Sequence, residues 1–337
     1  MRGEVMEYLL NKDIDGKEIP LKKLQKLLLD MLMDIDSICK KNHIQYMLFS
    51  GSVLGAVRHK GFIPWDDDLD IAVTREDYYK LIDALEKELP KQYTYQCFEK
   101  DNRYLVTWPA MKIRKKGTYI KEQNILLQNK CHDCDGVFVD VFILDYVSEN
   151  KRKDYWNRLI SQILAVPIIF FENIHINPSF LKKQFIKHAI RYGEKNRGSK
   201  YIGDDITWIY QNISKPYVYE NDKIFPTKRI EFEGKKLPVP RNPEHFLEQH
   251  YGKDYMTLPP ESKRVPSHVN LISLLDDGTN LKGVKKGHPK IVKTLLSISV
   301  FLFIISLILF NDLSLKLCGI GIILIGIVLL MILQEKE

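Results

Sequence analysis

Gly51-Ser52-Val53-Leu54-Gly55-Ala56-Val57-Arg58-His59-Lys60-Gly61-Phe62-Ile63-Pro64-Trp65-Asp66-Asp67-Asp68-Leu69-Asp70-Ile71 is the stretch on which the reading of this chain turns. Aspartates crowd its end, and like charge at that density is costly unless cations compensate it. Residues 46–50 read as a short buried strand running into the Gly51-Ser52 turn. Residues 53–59 then resume a helical pattern, Gly61 and Pro64 make a turn, and 68–73 read as a second strand. Side chains alternate along a strand, so Asp68 and Asp70 share one face while Leu69, Ile71 and Val73 point into the core. Carboxylates spaced about 7 Å apart by the strand rise are expected to converge on one or two Mg²⁺ (or Mn²⁺) ions, which keep positions open for substrate phosphates.

Phosphate chemistry suits this arrangement, because such metals neutralise phosphoryl oxygens and stabilise a leaving group. Gly51 and Ser52, at a strand-to-helix turn, offer backbone N–H groups and a hydroxyl to a phosphate. Arg58, His59 and Lys60 lie between the two elements and add positive charge. A third carboxylate, Asp140, is the only charge in the apolar run Val137-Phe138-Val139-Asp140-Val141-Phe142. Burying it alone is expensive; it completes the metal site or takes an acceptor's proton.

Outward from this stretch, Leu21, Leu24, Leu27, Leu28, Met31, Leu32, Ile35 and Ile38 recur at helical spacing. Thr74 with Asp77 reads as a cap for a helix through Leu89. Residues 94–98, 111–114 and 137–144 are strand candidates, and 149–196 is mostly helical. Residues 229–233 and 236–239 form a small hairpin around Gly234, and 243–251 a short helix before a Pro-rich segment reaching Pro266. Lys112 and Arg114 alternate on their strand and either reach a donor or face water. The order is α+β with mixed strands, not regular βαβ alternation.

The 337 residues carry a formal net charge of +7 without a long basic run interleaved with aromatics, so no nucleic acid is expected as a partner. Five scattered cysteines and a charged N-terminal stretch point to a reducing, cytoplasmic setting. Cys131 and Cys134 have half the spacing of a zinc site without a second pair nearby. Residues 291–310 and 313–333 are almost wholly apolar, each long enough to cross a bilayer, and Lys282, Lys285, Lys286, Lys290 and Lys293 crowd the entry side. They predict a two-span transmembrane hairpin (289–337) behind a cytoplasmic catalytic domain (1–288). The run 163–171, broken by Pro167, is too short to span and reads as a buried helix segment or its end.

The Gly-Ser turn, the Asp-x-Asp strand and the later lone Asp140 resemble the core of the polymerase-beta-like nucleotidyltransferases: a mixed sheet flanked by helices. The fuller string from Leu54 to Asp68 is similar to the LicD family, to which fukutin-like proteins are related. So are Phe138–Asp145, Phe232–Pro240 and Tyr251-Gly252-Lys253-Asp254-Tyr255. The resemblance covers roughly residues 20–270 and leaves the terminal hairpin outside. It implies transfer of phosphocholine, or another phospho-alcohol, from a CDP-linked donor to a glycan or its lipid-linked precursor, with release of CMP. Matched by residue, it makes Asp68, Asp70 and Asp140 the metal ligands and Gly51 and Ser52 the phosphate-binding turn, with Arg58 and Lys60 beside it. Asp66, His59, Arg264 and His268 stand as outer residues, each with a plain structural alternative, and Trp65 reads as packing. A nucleotidyltransferase releasing pyrophosphate, phosphoglycerol or phosphoribitol transfer, and a catalytically silent membrane partner are the competing readings.

Overall fold

The computed structural model describes residues 9–10, 19–122, 129–131, 133–209 and 211–274. A two-residue pair, β1 (Leu9–Leu10) and β2 (Ile19–Pro20), precedes α1 (Leu21–Lys41), β3 (Tyr46–Leu48), α2 (Ser50–His59), β4 (Asp70–Thr74) and α3 (Arg75–Glu88). Four strands follow: β5 (Tyr93–Cys97), β6 (Met111–Lys115), β7 (Tyr119–Glu122) and β8 (Phe138–Tyr146). After α4 (Lys151–Asn173) and α5 (Ser179–Lys195) come β9 (Tyr201–Asp204), β10 (Val218–Glu220) and α6 (Asn221–Ile224). The hairpin β11 (Lys228–Phe232) and β12 (Lys235–Val239), α7 (Pro243–Tyr251) and β13 (Val269–Ser273) complete the order.

The expected α+β class with a mixed sheet is what forms. Its centre is β8, which pairs in parallel with β4; β3 extends that edge antiparallel. The other edge of β8 is shared: its first half pairs antiparallel with β6, which carries β5, and its last three residues with β9, which carries β10. Ile71, Ala72 and Val73 of β4 and Val139 and Val141 of β8 are fully buried, because both faces of these strands are covered. On one side α1 buries Leu24, Leu28, Met31, Leu32 and Ile35, its inward stripe; each such side chain contributes roughly 1.5–3 kcal/mol relative to exposure. Thr74 caps α3 as its spacing predicts, its hydroxyl accepting from the Asp77 N–H at 3.1 Å.

Three details differ from the sequence expectations. The second strand begins at Asp70, so Asp68 sits in the loop before it. The antiparallel pair β7–β13 joins segments far apart in the chain, a contact no local pattern announces. The run 163–171 falls near the end of α4 with Pro167 inside the helix, and Ala165 and Ile168 are buried, but Ile163 is 60% exposed and Leu164 36%, so the run is buried only in part. Among the described residues no helix is long and apolar enough to cross a membrane; the predicted hairpin at 289–337 lies outside them. Sheet and site belong to one unit, drawn from residues up to 165 and from 179 to 280, and residues 166–178 to a second. Within the latter, Asn173 Nδ2 donates to the Ile169 carbonyl at 2.8 Å.

Asp36, buried on α1, ties this helix to β3 and to the β11–β12 hairpin. It accepts from the Tyr46 hydroxyl at 2.8 Å and from Arg229, and pairs with Lys40 at 2.6 Å. Burial works against its charge, but these donors outweigh it and hold the carboxyl below its ordinary 3.8. A depressed folded value means the stabilisation is present above the unfolded value and is lost as pH falls through the lower folded one. Asp36→Ala is expected to cost about 3 kcal/mol in urea unfolding at neutral pH, with the gap to wild type narrowing in acid. An equal gap at both pH values would show that packing, not charge, is what Asp36 contributes.

Candidate active site

The site is built where β4 and β8 run side by side. In the parallel register Asp70 lies opposite Asp140, and in the antiparallel register Lys112 of β6 lies opposite Asp140 on its other flank. The three side chains therefore leave the sheet on one face. Lys112 is 1% exposed: its ammonium is 2.8 Å from Asp140 Oδ1 and donates to Oδ2 at 3.1 Å. The nearer oxygen lies off the hydrogen-bonding direction and, although buried, has no hydrogen bond. On its far side Lys112 meets Glu122 of β7 at 3.2 Å, and Arg114 reaches the same carboxylate at 3.1 Å. Burial opposes charge on Glu122, but Lys112 and Arg114 prevail and hold it below the usual range. Neither Lys112 nor Arg114 faces water: both are walled in beneath the site.

The remaining carboxylates arrive on the loop before β4. Burial, then the neighbouring charges of Asp68 and Asp140, push the Asp70 carboxyl well above its ordinary value. Burial and Asp68 do the same to Asp66. Burial raises Asp140 to about 6, with Lys112 pulling against it. Such crowding is a set of hard oxygen ligands with too little positive charge, and it fits a divalent cation such as Mg²⁺. Among the described residues, ligand atoms of Asp66, Asp67 and His268 lie within 4.8 Å of one another. Asp67, however, is committed elsewhere. Fully enclosed, its carboxylate accepts from the backbone N–H groups of Ser267, His268 and Val269 at 2.9–3.3 Å and meets His268 Nδ1 at 2.9 Å. It anchors the 267–269 segment. His268, set against Asp67 and 3.4 Å from Asp68, is raised to about 10: burial would lower it, but the Asp67 bond and the Asp68 charge dominate.

The Gly51-Ser52 turn lies inside α2, whose first residue is Ser50. Ser52 is buried and its hydroxyl accepts from the Asp70 N–H at 3.0 Å, so it joins the turn to the strand that carries Asp70. A Cβ on Gly51 would come within 3.1 Å of Asp66 Oδ2. One on Gly55 would sit 2.4 Å from the Gly61 carbonyl oxygen, so only glycine allows α2 to pack on the loop leading to the aspartates. Arg58 donates to His59 at 2.9 Å and to the Tyr255 carbonyl at 3.0 Å. Arg264 donates to the Pro259 carbonyl at 2.8 Å and lies 5.7 Å from the Trp65 ring. Lys60 is exposed in a left-handed conformation (φ 56°) that ends α2, its carbonyl accepting from the Glu233 N–H at 2.8 Å.

Sequence reasoning passed over Ser50 and His250 and gave Tyr251 no role beyond its place in a block of resemblance. Ser50 holds a left-handed backbone (φ 46°) at the strand-to-helix junction, a conformation that costs a residue with a Cβ roughly 1–2 kcal/mol. Its hydroxyl lies 3.3 Å from His250 Nε2 and 3.1 Å from the Tyr251 hydroxyl at the end of α7. His250 is stacked on Tyr217 at 3.9 Å, meets the Tyr219 hydroxyl through Nδ1 at 2.9 Å, and is lowered by burial to about 4. It is neutral at pH 7. The only local signal was a polar pair ending an otherwise apolar helix face. The zinc reading finds no support among the described residues. Cys131 is buried with its thiol pushed up to about 12 by burial, and Cys134 packs against the Lys115 carbonyl; His132 lies outside the described residues.

The family described as LicD/FKTN/FKRP, nucleotidyltransferase domain, matches residues 43–163, which hold the turn, the aspartates, Lys112 and Asp140. The lipopolysaccharide cholinephosphotransferase LicD of Haemophilus influenzae is 29% identical over 278 residues, covering 75% of this chain and 97% of that protein. Uncharacterized proteins of Rickettsia typhi and Rickettsia prowazekii are 44% and 43% identical over 71 and 72 residues, 21% of this chain and 23% and 27% of theirs. Residues 43–163 are thus similar to the nucleotidyltransferase domain of the LicD family, and most of the chain is similar to one LicD cholinephosphotransferase.

Proposed function

We propose that this chain is a phosphotransferase that moves a phospho-alcohol, phosphocholine foremost, from a CDP-linked donor to a hydroxyl of a cell-surface glycan or its lipid-linked precursor. The observation that carries the reading is the undercompensated group of carboxylates on the paired strands β4 and β8. The Haemophilus relative, named for transfer of cholinephosphate to lipopolysaccharide, supports the choice of group and acceptor. Asp68, Asp70 and Asp140 would hold a divalent cation, Mg²⁺ or Mn²⁺. Bound there, it neutralises pyrophosphate oxygens and stabilises the departing CMP.

The protein's own groups do the rest. The N-terminus of α2 offers the Gly51 backbone N–H to phosphate, the Ser52 N–H being held by the Phe49 carbonyl at 2.9 Å. Asp140, held by Lys112 and kept from full acidity by burial, receives the proton of the attacking hydroxyl. A bond forms between that oxygen and the distal phosphorus, the P–O bond to CMP breaks, and the phospho-alcohol passes intact. Ser50, fixed by His250 and Tyr251, sets the angle at which α2 meets the donor. The apolar runs 291–310 and 313–333 serve as a two-span anchor that keeps a cytoplasmic catalytic domain beside a lipid-linked acceptor.

Incubated with Mg²⁺, acceptor-containing membrane extract and a panel of CDP-choline, CDP-glycerol, CDP-ribitol and CTP, the full chain should release CMP from one CDP-alcohol. Asp70→Asn should lose about a thousandfold or more of that turnover. Pyrophosphate from CTP would instead make the protein a nucleotidyltransferase; no nucleotide release and no metal binding would remove the enzyme reading altogether. His250→Phe keeps the ring stack and deletes the hydrogen bonds to Ser50 and Tyr219. It is expected to raise the donor KM about three- to tenfold, the worth of a hydrogen bond, with a smaller effect on kcat. An unchanged KM would mean that the network does not shape the donor site.

A further inference from the structure

Helix α4 wears its polarity reversed. Its inward stripe is Asp154, Arg158, Ser161 and Ala165, all buried. Arg158 donates to both Asp154 oxygens at 3.1 and 3.0 Å, to the Asp204 carbonyl at 3.1 Å and to the Gln211 side chain. The outward stripe, at the i, i+4, i+7 spacing of one helix face, is Trp156, Ile160 and Ile163, exposed to 59%, 44% and 60%. Tyr155 and Leu164 flank it, each 36% exposed. A helix on a soluble domain turns its charges to water and its aliphatic groups inward. Single exposed apolar residues need no explanation, but a continuous row of large ones marks a surface that something covers.

What covers it is written in the order of residues along the helix. Lys151, Arg152 and Lys153 open the first turn, all exposed. The Tyr155–Trp156 pair follows, edge to face at 5.9 Å, and then the aliphatic residues. Basic, then aromatic, then aliphatic is the sequence of side chains met on passing from lipid headgroups toward acyl chains. We propose that this face of α4 rests on an anionic bilayer, with Arg152 and Lys153 among the headgroups and Trp156, Ile160 and Ile163 in the interfacial layer. Anionic headgroups complement the basic turn, whereas a second copy meeting it about a twofold axis would set one basic turn near its equal. The first apolar run begins at residue 291, close after the last described residue, 274, which keeps the domain within reach of such a surface. The contact is read from α4 itself and stands apart from the catalytic reading.

The test is tryptophan emission from the full chain reconstituted in phosphatidylcholine–phosphatidylglycerol vesicles, with and without bromine on the acyl chains, beside a Trp156→Phe variant. Trp156 is exposed, and Phe at that position leaves the buried stripe untouched. Of the other tryptophans, Trp108 is buried and Trp65 and Trp208 half-buried. Bromine should quench the wild type, and the bromine-dependent loss should fall by about half or more in the variant, as expected of a tryptophan at the interface. Equal bromine quenching in both proteins overturns the proposal. So does a Trp156 component that is shielded from aqueous iodide yet unquenched by bromine, which would place a protein surface over α4 instead. Neither result depends on turnover, so catalysis and membrane contact fail or stand separately.

Discussion

Everything in this domain is arranged around the repulsion among carboxylates at the start of β4 and its neighbour β8. Parallel pairing sets Asp70 against Asp140, and the preceding loop adds Asp66 and Asp68. Like charges at such range, away from bulk water, cost several kcal/mol unless protons or cations intervene. That is why burial and mutual charge drive Asp66 and Asp70 upward. A sequence under no functional demand would not gather them. The fold tolerates the arrangement because Lys112 is sealed under one side and His268 is laid against the other.

Holding repelling groups together requires ties that local secondary structure does not supply. The loop from Gly61 to Asp68 has no regular structure to fix it, and three distant segments do so. Gln25 of α1 donates to the carbonyls of Ile63 and Asp66 at 3.2 and 2.9 Å. Glu233, in the turn of the β11–β12 hairpin, accepts from the Phe62 N–H at 3.1 Å while Phe232 packs on the Phe62 ring at 4.9 Å. Asp67 accepts from the backbone N–H groups of Ser267, His268 and Val269, where β13 begins. Each tie spends a polar side chain on backbone groups that would otherwise lie buried without partners. The separate sequence blocks that suggested a family are thus parts of one clamp.

Much of this was legible in the sequence, and the misses share a cause. Strand alternation and a lone charge in an apolar run located β8 and Asp140, and apolar spacing located α1 and its inward stripe, because those signals are local. The hairpin around Gly234 and the helix before Tyr251 were legible for the same reason. The pairing of β7 with β13 was not, since it joins residues nearly half of the chain apart. Lys112 and Arg114, read as reaching a donor or facing water, are instead enclosed because Glu122, from that unforeseen strand, lies across them. Ser52 was expected to face phosphate through its hydroxyl, yet its oxygen serves the Asp70 N–H, a partner 18 residues on. Ser50 escaped because a positive φ at a non-glycine residue leaves no compositional trace.

Charge balance separates a working site from a strut in this protein. On α4, one guanidinium meets one carboxylate, Arg158 with Asp154, and Tyr192 donates a further hydrogen bond at 2.7 Å. The adjacent Asp204 is pushed up to about 7 by burial, so it can hold a proton and leave the pair balanced. Under β8 the balance fails. Lys112 is shared between Asp140 and Glu122, Arg114 pairs with Glu122, and the pull of His268 and Lys112 on Asp70 does not offset its burial and the charges of Asp68 and Asp140. A closed network contributes rigidity and has no capacity for a ligand. An open one, held in place by ties as strong as those on Asp67, stores a standing demand for positive charge, and it is on that demand that the proposed cation-dependent reaction on phosphate rests.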